Sequence, residues 1–218
     1  MRFVLASQSP ARLSTLRAAG IEPTVIVSEV DEGAILDRRR AAGTLDPAPS
    51  VLELARAKAE AVAQLLFDDS RRLEGLPAAV MGCDSMLEID HEIVGKPHHH
   101  DVAIQRWKKM RGTSGILHTG HWMIRLSESG QVVGATGVTN SATVHFADIS
   151  DEEITAYVGT GEPLHVAGAF TVDGLAGPYI ERIEGDFHTI VGLSLPAART
   201  MAIELGLTWH EFWNRSNS

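Results

Sequence analysis

The period of the apolar positions changes several times along the chain, and each change marks an element. Residues 2–6 (RFVLA) run apolar without alternation and predict a buried first strand. After Ser7-Gln8-Ser9-Pro10, Leu13, Leu16 and Ala19 recur at helical spacing. Ser9 suits an N-cap, Pro10 the first helical position and Gly20 the stop. The β-branched run 24–27 predicts a strand that leaves through the acidic stretch Ser28-Glu29-Val30-Asp31-Glu32. Residues 37–50, rich in Arg and then in Gly, Pro and Asp, predict a surface loop with Arg38, Arg39 and Arg40 solvated. A helix is expected from Ser50, with Glu53 completing a capping box and Leu52, Ala55, Ala59, Val62, Ala63 and Leu66 as its buried stripe. A polar connection over 71–77 follows.

The stretch 80–97, VMGCDSMLEIDHEIVGKP, is the centre of the pattern: strand, tight turn at Asp90-His91, and return. Beyond it, Asp101 predicts a helix start with Val102, Ile104, Trp107 and Met110 packing. Residues 116–126 and 131–146 alternate as two long antiparallel strands around a turn at 127–130. Ser150-Asp151-Glu152-Glu153 begins another helix, closed by Gly159–Gly161. The Gly-rich run 163–177 permits close approach of a flat ligand or another strand. Residues 179–183 are expected as a helical turn, 189–193 as a buried strand and 196–205 as the last helix. The aromatic tail (Trp209, Phe212, Trp213) either packs on the body or forms an oligomer contact.

Composition sharpens this picture in three places. At 218 residues with 44% hydrophobic and 22% charged residues, the chain can bury a substantial core, as one domain or two closely packed lobes. The net charge of −9 argues against duplex DNA or an anionic membrane as partner. The single cysteine, Cys83, excludes an intrachain disulfide and fits a reducing compartment; with no span-length apolar run and no secretory signal, the protein is expected in the cytoplasm.

The candidate chemistry collects at strand ends. Asp84 and Lys96 flank the hairpin. A carboxylate that holds a cation or a water, beside an ammonium that balances phosphate charge, suits a metal-bound phosphate; an exposed strand-end Asp and a solvated Lys is the equal alternative. The turn between the first strand and helix offers free N–H groups, the hydroxyls of Ser7 and Ser9, and Arg12, a natural anion site, or else only a cap. Glu32 is either a second metal-facing carboxylate or part of a solvated acidic turn. Lys58 reads locally as a solvated helix lysine that could also reach into a site. His98–His100 point in different directions as neighbours in a turn and read as exposed rather than as ligands. His118-Thr119-Gly120-His121 interrupts a strand, either lining a cleft or, the favoured reading, as core or edge histidines. Cys83 reads as a packed thiol.

Taken in order, LASQSPAR, EVDE (29–32), ARAKA (55–59), GCDS (82–85), VGKP (94–97), HTGH (118–121), HVAGAF (165–170) and VGLSLP (191–196) resemble the Maf family of nucleoside triphosphate pyrophosphatases, from residue 3 to about 205. The resemblance implies a single α/β domain over 1–218, a two-lobed mixed-sheet fold similar to inosine triphosphatases with an active-site cleft between lobes. It implies hydrolysis of a nucleoside triphosphate to the monophosphate and pyrophosphate with a divalent cation, Mg²⁺ or Mn²⁺, as house-cleaning of modified nucleotides, and an association with arrest of cell division. The alternative is a nucleotide-binding regulator of division that does not turn over. Asp84 falls on the family's catalytic aspartate. Ser7, Ser9 and Arg12 fall on its phosphate-binding motif, and Glu32, Lys58 and Lys96 on polar cleft positions. Glu32 and Asp84 are the expected metal contacts. At the specificity positions the chain has Ala11, Ser85 and Asp173. The branch preferring thymidine and uridine triphosphates has Arg, Thr and Gln there; the branch preferring 7-methylguanosine triphosphate shares the acid at 173 but differs at 11 and 85. Asp90-His91 stands where Asp-Gly is more usual. Family members often pair, so a homodimer is expected.

Overall fold

A computed structural model describes residues 1–43, 45–68 and 76–214. In chain order the elements are β1 (Arg2–Ala6), α1 (Pro10–Ala18), β2 (Thr24–Val25), α2 (Glu32–Ala41), α3 (Pro47–Asp68), β3 (Ala78–Ile89), β4 (Glu92–Val94), α4 (His100–Met110), β5 (Ser114–Leu126), β6 (Val132–Phe146), α5 (Asp151–Gly159), β7 (Ile180–Glu184), α6 (Phe187–Val191) and α7 (Leu195–Glu204). The strands form a mixed seven-stranded sheet in the order β2-β1-β3-β5-β6-β7, with β4 paired to β3. The expected α/β class is therefore observed. No helix among the described residues is long and apolar enough to cross a membrane.

The chain divides into two compact units. The first comprises Met1–Asp84, Thr119–Asn140 and Gly192–Ser218. Here β1 lies parallel to both β2 and β3. Phe3 and Leu5 of β1 join Ala79, Met81 and Cys83 of β3 in one cluster with Leu16, Met201, Ala202 and Phe212. Val4 and Ala6 join Ala78 and Val80 in a second cluster with Ala59, Val62, Ala63 and Leu66 of α3. Both faces are covered, which is why β1 reads apolar without alternation. The tail packs on this body: the Phe212 ring meets Phe3 edge-on with centroids 5.2 Å apart.

Four expectations fail in this unit. The loop predicted over 37–50 is mostly helix, because α2 runs to Ala41 and α3 begins at Pro47. Ser50 does not cap α3; it is buried within it and its hydroxyl donates to the Asp46 carbonyl at 2.5 Å. Asp46 caps instead, accepting from the Ala48 N–H at 3.2 Å. Glu53 completes no capping box because Arg39 holds it at 2.6 Å, so Arg39 is not a solvated charge. The strand expected over 24–27 shortens to two residues. Residues 71–75 of the polar connection lie outside the described residues.

The second unit comprises Ser85–His118 and Ser141–Val191. Its core is aromatic. Trp107 of α4 makes edge contacts with Phe146, Tyr157 and Tyr179 at centroid distances of 5.9, 5.4 and 6.0 Å, and its Nε1–H donates to the Ala169 carbonyl at 2.8 Å. The β3–β4 hairpin forms as expected, with Ile89 opposite Glu92. Asp90 (φ 50) and His91 (φ 64) both take the left-handed conformation, the requirement of a two-residue turn that Asp-Gly meets with less strain. The helix at 100 is entered through His99 with no side-chain cap, not through Asp101. Of residues 179–183, expected as a helical turn, all but Tyr179 belong to strand β7, antiparallel to β6 with Val144 opposite Ile183. The strand expected over 189–193 is instead occupied up to Val191 by helix α6.

Candidate active site

The β1–β3 ladder runs from Arg2 opposite Ala78 to Ala6 opposite Gly82, so Asp84 lies just past the last pair, within β3 rather than at the strand end expected for it, but at the carboxyl end of β1. Open α/β sheets place ligands there. A Cβ at Gly82 would stand 2.1 Å from the Ala55 carbonyl oxygen and 2.9 Å from the Ala59 nitrogen. A Cβ at Gly120 of β5 would stand 2.2 Å from the Val51 carbonyl oxygen. Two glycines thus let α3 rest directly on backbone. Asp84 shares the face of Gly82, since strand side chains alternate, and the seated helix brings Lys58 to it.

Lys58 Nζ lies 2.5 Å from Asp84 Oδ1 and 2.8 Å from Glu32 Oε1. Lys58 and Asp84 are buried, whereas the Glu32 side chain is 51% exposed. Burial pushes the Asp84 carboxyl above its ordinary value, against the opposing pull of Lys58 and Arg12. The result is a carboxylate more basic than usual, held in one rotamer by an ammonium. Lys58, read locally as solvated, is instead the bridge of the site. Glu32 leaves the loop expected for it and opens α2, with Asp31 as N-cap.

The turn between β1 and α1 forms as predicted: the Ser9 hydroxyl accepts from the Arg12 N–H at 3.5 Å and Pro10 opens the helix. The Ser7 hydroxyl is buried and accepts from the Ser9 N–H at 3.2 Å. The Arg12 guanidinium donates to Ser7 Oγ at 3.1 Å, to the Cys83 carbonyl at 2.9 Å and to the Gly192 carbonyl at 2.8 Å. It therefore ties three chain segments together beside Asp84, a structural duty the sequence did not suggest. Ala11 sits half-buried in the first turn of α1. Burial pushes the Cys83 thiol up to about 11, so it is the packed, unreactive group expected.

Ser7, Ser9, Arg12, Glu32, Lys58 and Asp84 all belong to the first unit, and Ser85, Lys96 and Asp173 to the second. Lys96 is exposed after β4, next to a Gly95 carbonyl that accepts from Arg106. Ser85 is half-buried and Asp173 is exposed in the loop 171–177. The two strand histidines are structural. His121 is fully buried and its Nε2 accepts from the Ser194 N–H at 2.8 Å, fixing the cap of α7. His118 lies 3.2 Å from Glu88 through Nε2 and 2.8 Å from the Ser141 hydroxyl through Nδ1, pinning β3, β5 and β6. A carboxylate only accepts, so Nε2 donates to Glu88. His98–His100 are exposed, as expected.

Among the described residues no group of three or more His, Cys, Asp or Glu is arranged to hold a metal ion. Two neighbouring carboxylates remain, and that donor set fits Mg²⁺ or Mn²⁺ of the kind completed by phosphate oxygens and water rather than by a protein cage. Sequence reasoning missed Gly82, Gly120 and the Gly192 carbonyl. The signal for Gly82 was its place two residues before Asp84 in a strand otherwise rich in larger apolar side chains.

The structure is an α/β protein with a carboxylate–ammonium–carboxylate array where its parallel β1–β3 pairing ends, and with a capped helix N-terminus of the kind that can receive an anion. The profile of the Maf-like protein family matches residues 2–205, and the chain belongs to that family. It is similar to the nucleoside triphosphate pyrophosphatase of Leifsonia xyli subsp. xyli, 50% identical over 99% of this chain and 98% of that protein. The nucleoside triphosphate pyrophosphatase of Salinispora tropica is 52% identical over all of this chain and 90% of its own length. A solved nucleoside-triphosphatase / dITP/XTP pyrophosphatase from Mycobacterium abscessus aligns over 68% of this chain and 76% of its own at 12% identity and a TM-score of 0.32, a likeness too loose to carry weight.

Proposed function

We propose that the protein hydrolyses nucleoside triphosphates to the monophosphate and pyrophosphate with the help of a divalent cation. The observation that carries this reading is the Glu32–Lys58–Asp84 array, with separations of 2.8 and 2.5 Å. The full-length likeness to proteins named nucleoside triphosphate pyrophosphatase supports it.

Asp84 is the base. Its raised affinity for protons suits it to take one from water as the water oxygen bonds to phosphorus and the bridge between the α- and β-phosphates breaks, releasing pyrophosphate. Lys58 holds that carboxylate in place and supplies positive charge where negative charge develops. The Ser7 and Ser9 hydroxyls and the N-terminus of α1 receive phosphate oxygens, and Arg12 keeps that turn in register with Asp84. Glu32 and Asp84 would hold the cation, which when bound supplies Lewis-acid stabilisation of the phosphoryl oxygens. Lys96 adds charge for the polyphosphate. Asp173, an acceptor-only group, favours a base with N–H donors, so a purine, methylated guanine included, is preferred over thymidine triphosphate. Removal of modified nucleotides from the pool is the role this chemistry serves.

The test is a panel of natural and methylated nucleoside triphosphates with Mg²⁺ or Mn²⁺, scoring pyrophosphate against orthophosphate. Asp84→Ala is expected to lower pyrophosphate release by about 10³-fold or more while remaining folded. Orthophosphate as the product, or full activity in the variant, would sink the reading.

A further inference from the structure

The charged side chains around Asp84 balance among themselves. Asp84 and Glu32 bring two negative charges, and Lys58 touches both, at 2.5 and 2.8 Å. The Arg12 guanidinium, which donates to the Cys83 carbonyl, brings a second positive charge that acts on Asp84. Lys58 thus does for the two carboxylates, one from β3 and one from α2, what a shared cation would do.

The same two carboxylates are the ones that would hold Mg²⁺ or Mn²⁺. A divalent ion on the oxygens that Lys58 touches would lie against an ammonium, with little solvent to screen the repulsion, because Lys58 and Asp84 are both buried. The ion would also set about four positive charges, two of its own and one each from Lys58 and Arg12, against the two carboxylates. A triphosphate, with about four negative charges, removes that excess and offers the ammonium other oxygens to hold. Lysine suits a group that changes partners: a compact charge with three donors on a flexible stem, where the planar fork of arginine is committed to one geometry. The array is also uneven in its freedom. Asp84 is fixed within a sheet strand, whereas Glu32 is half-exposed at the start of α2, a helix that buries only Ile35.

We propose that Lys58 is a resident stand-in for the divalent cation: it occupies Glu32 and Asp84, opposes metal binding in the free protein, and passes to the phosphates when the metal enters with the triphosphate. The proposal rests on the nucleotide reading above and adds a rule of assembly to it. Metal and nucleotide each tighten the binding of the other, because each relieves a conflict that the other creates with Lys58.

The experiment measures the binding of Mn²⁺ alone, by loss of the free-ion EPR signal, to wild type, Lys58→Met and Lys58→Met/Asp84→Asn. Lys58→Met is expected to bind Mn²⁺ about tenfold or more tightly than wild type, and the double variant to lose that gain, since the gained affinity belongs to those carboxylates. In parallel, Lys58 of the wild type is acetylated with limiting reagent and followed by mass spectrometry. Its rate is expected to rise by about threefold or more as Mn²⁺ fills the site, because the carboxylates release the ammonium. It falls again when Mn²⁺ is joined by a triphosphate carrying a methylene bridge between its α- and β-phosphorus atoms. A lysine that only props Asp84 would show neither change. Lys58→Met that binds Mn²⁺ no more tightly than wild type, or a gain that survives Asp84→Asn, overturns the inference. A Lys58 acetylation rate that Mn²⁺ leaves unchanged also overturns it, and this arm decides by itself if Lys58→Met does not fold. Pyrophosphate release by the wild type separates the two readings. Release with an unmoved Lys58 overturns the inference and leaves the hydrolytic reading standing. Exchange at Lys58 without release from any nucleotide overturns the hydrolytic reading and leaves Lys58 as the competitor of the cation.

Discussion

The two units solve the problem of placing reactive groups in opposite ways. In the first, helix α3 meets β3 and β5 at glycines. Gly82 and Gly120 let α3 rest on bare strand backbone, and Lys58 and Asp84 come from that helix and from the middle of strand β3, whose positions leave them no choice. In the second, the elements meet through large rings around Trp107, and the residues of functional interest, Lys96 and Asp173, stand exposed on loops. Close backbone contact gives sub-ångström placement, which bond-breaking chemistry needs. A ring-filled core gives a stable base from which loops can vary, which selection among substrates needs. Under the proposed reading the hydrolytic residues belong to the first unit, and Lys96 and Asp173 belong to the second.

That contrast can be broken most forcefully from the aromatic side. Trp107→Ala removes three edge contacts and the donor to the Ala169 carbonyl, and is expected to cost about 3–5 kcal/mol in denaturant unfolding. In the first unit Gly82→Ala drives a methyl onto the Ala55 carbonyl and is expected to cost about 1–3 kcal/mol. Its signature is a fall in kcat of about 100-fold at temperatures where the protein is still folded, because Lys58 and Asp84 no longer meet. Gly82→Ala with full kcat would remove the claim that helix seating sets the site. A gentler probe is Lys96→Ala, expected to raise KM by about tenfold with a smaller change in kcat, since an exposed loop lysine contributes mostly to binding. An equal fall in kcat and kcat/KM would move Lys96 into the chemistry.

The smallest effect concerns pH. Asp84 is proton-hungry because it is buried, so the acid limb of the kcat/KM profile should lie above the value of about 4 that an ordinary aspartate would give. The sign for stability follows. A carboxyl whose folded affinity for protons exceeds its unfolded affinity favours the fold below the unfolded value, and that contribution is lost as pH rises through the folded value. Asp84→Asn should therefore flatten this component of the stability profile on the acid side; an unchanged slope there, read by denaturant unfolding, would show that Asp84 does not titrate as described.

Much of the frame was legible in the sequence wherever one short-range signal decided the structure. Ser9-Pro10, the Asp90-His91 turn and the Ser150 helix start all formed where local chemistry put them. The misreadings have physical reasons. Helix α2 buries only Ile35 and half of its residues are charged, so its composition imitates a loop. Residues 189–191 are a short apolar run whose length cannot separate a strand from a buried helical turn, and β7 is a five-residue strand with two charges between its isoleucines. For Lys58 no local rule could work: its partner Asp84 is 26 residues away, and the glycine that permits the contact belongs to another element. Asp84, Lys96, Ser7, Ser9, Arg12, Glu32 and Lys58 were candidates on local chemistry, and Ala11, Ser85 and Asp173 only through the family resemblance; what each group touches came from the fold.

The three bonds of Arg12 carry a further consequence, for the order in which the molecule is made. One of its acceptors, the Gly192 carbonyl, lies 180 residues downstream. The Phe3 ring likewise waits for Phe212, and the Gly20 carbonyl for the Asn214 N–H, which donates to it at 2.8 Å. A ribosome emits the first strand and helix well before the segments that clasp them. The nascent chain must therefore present Gly192, Phe212 and Asn214 before Arg12, Phe3 and Gly20 find these partners, so this part of the fold closes through contacts distant in sequence.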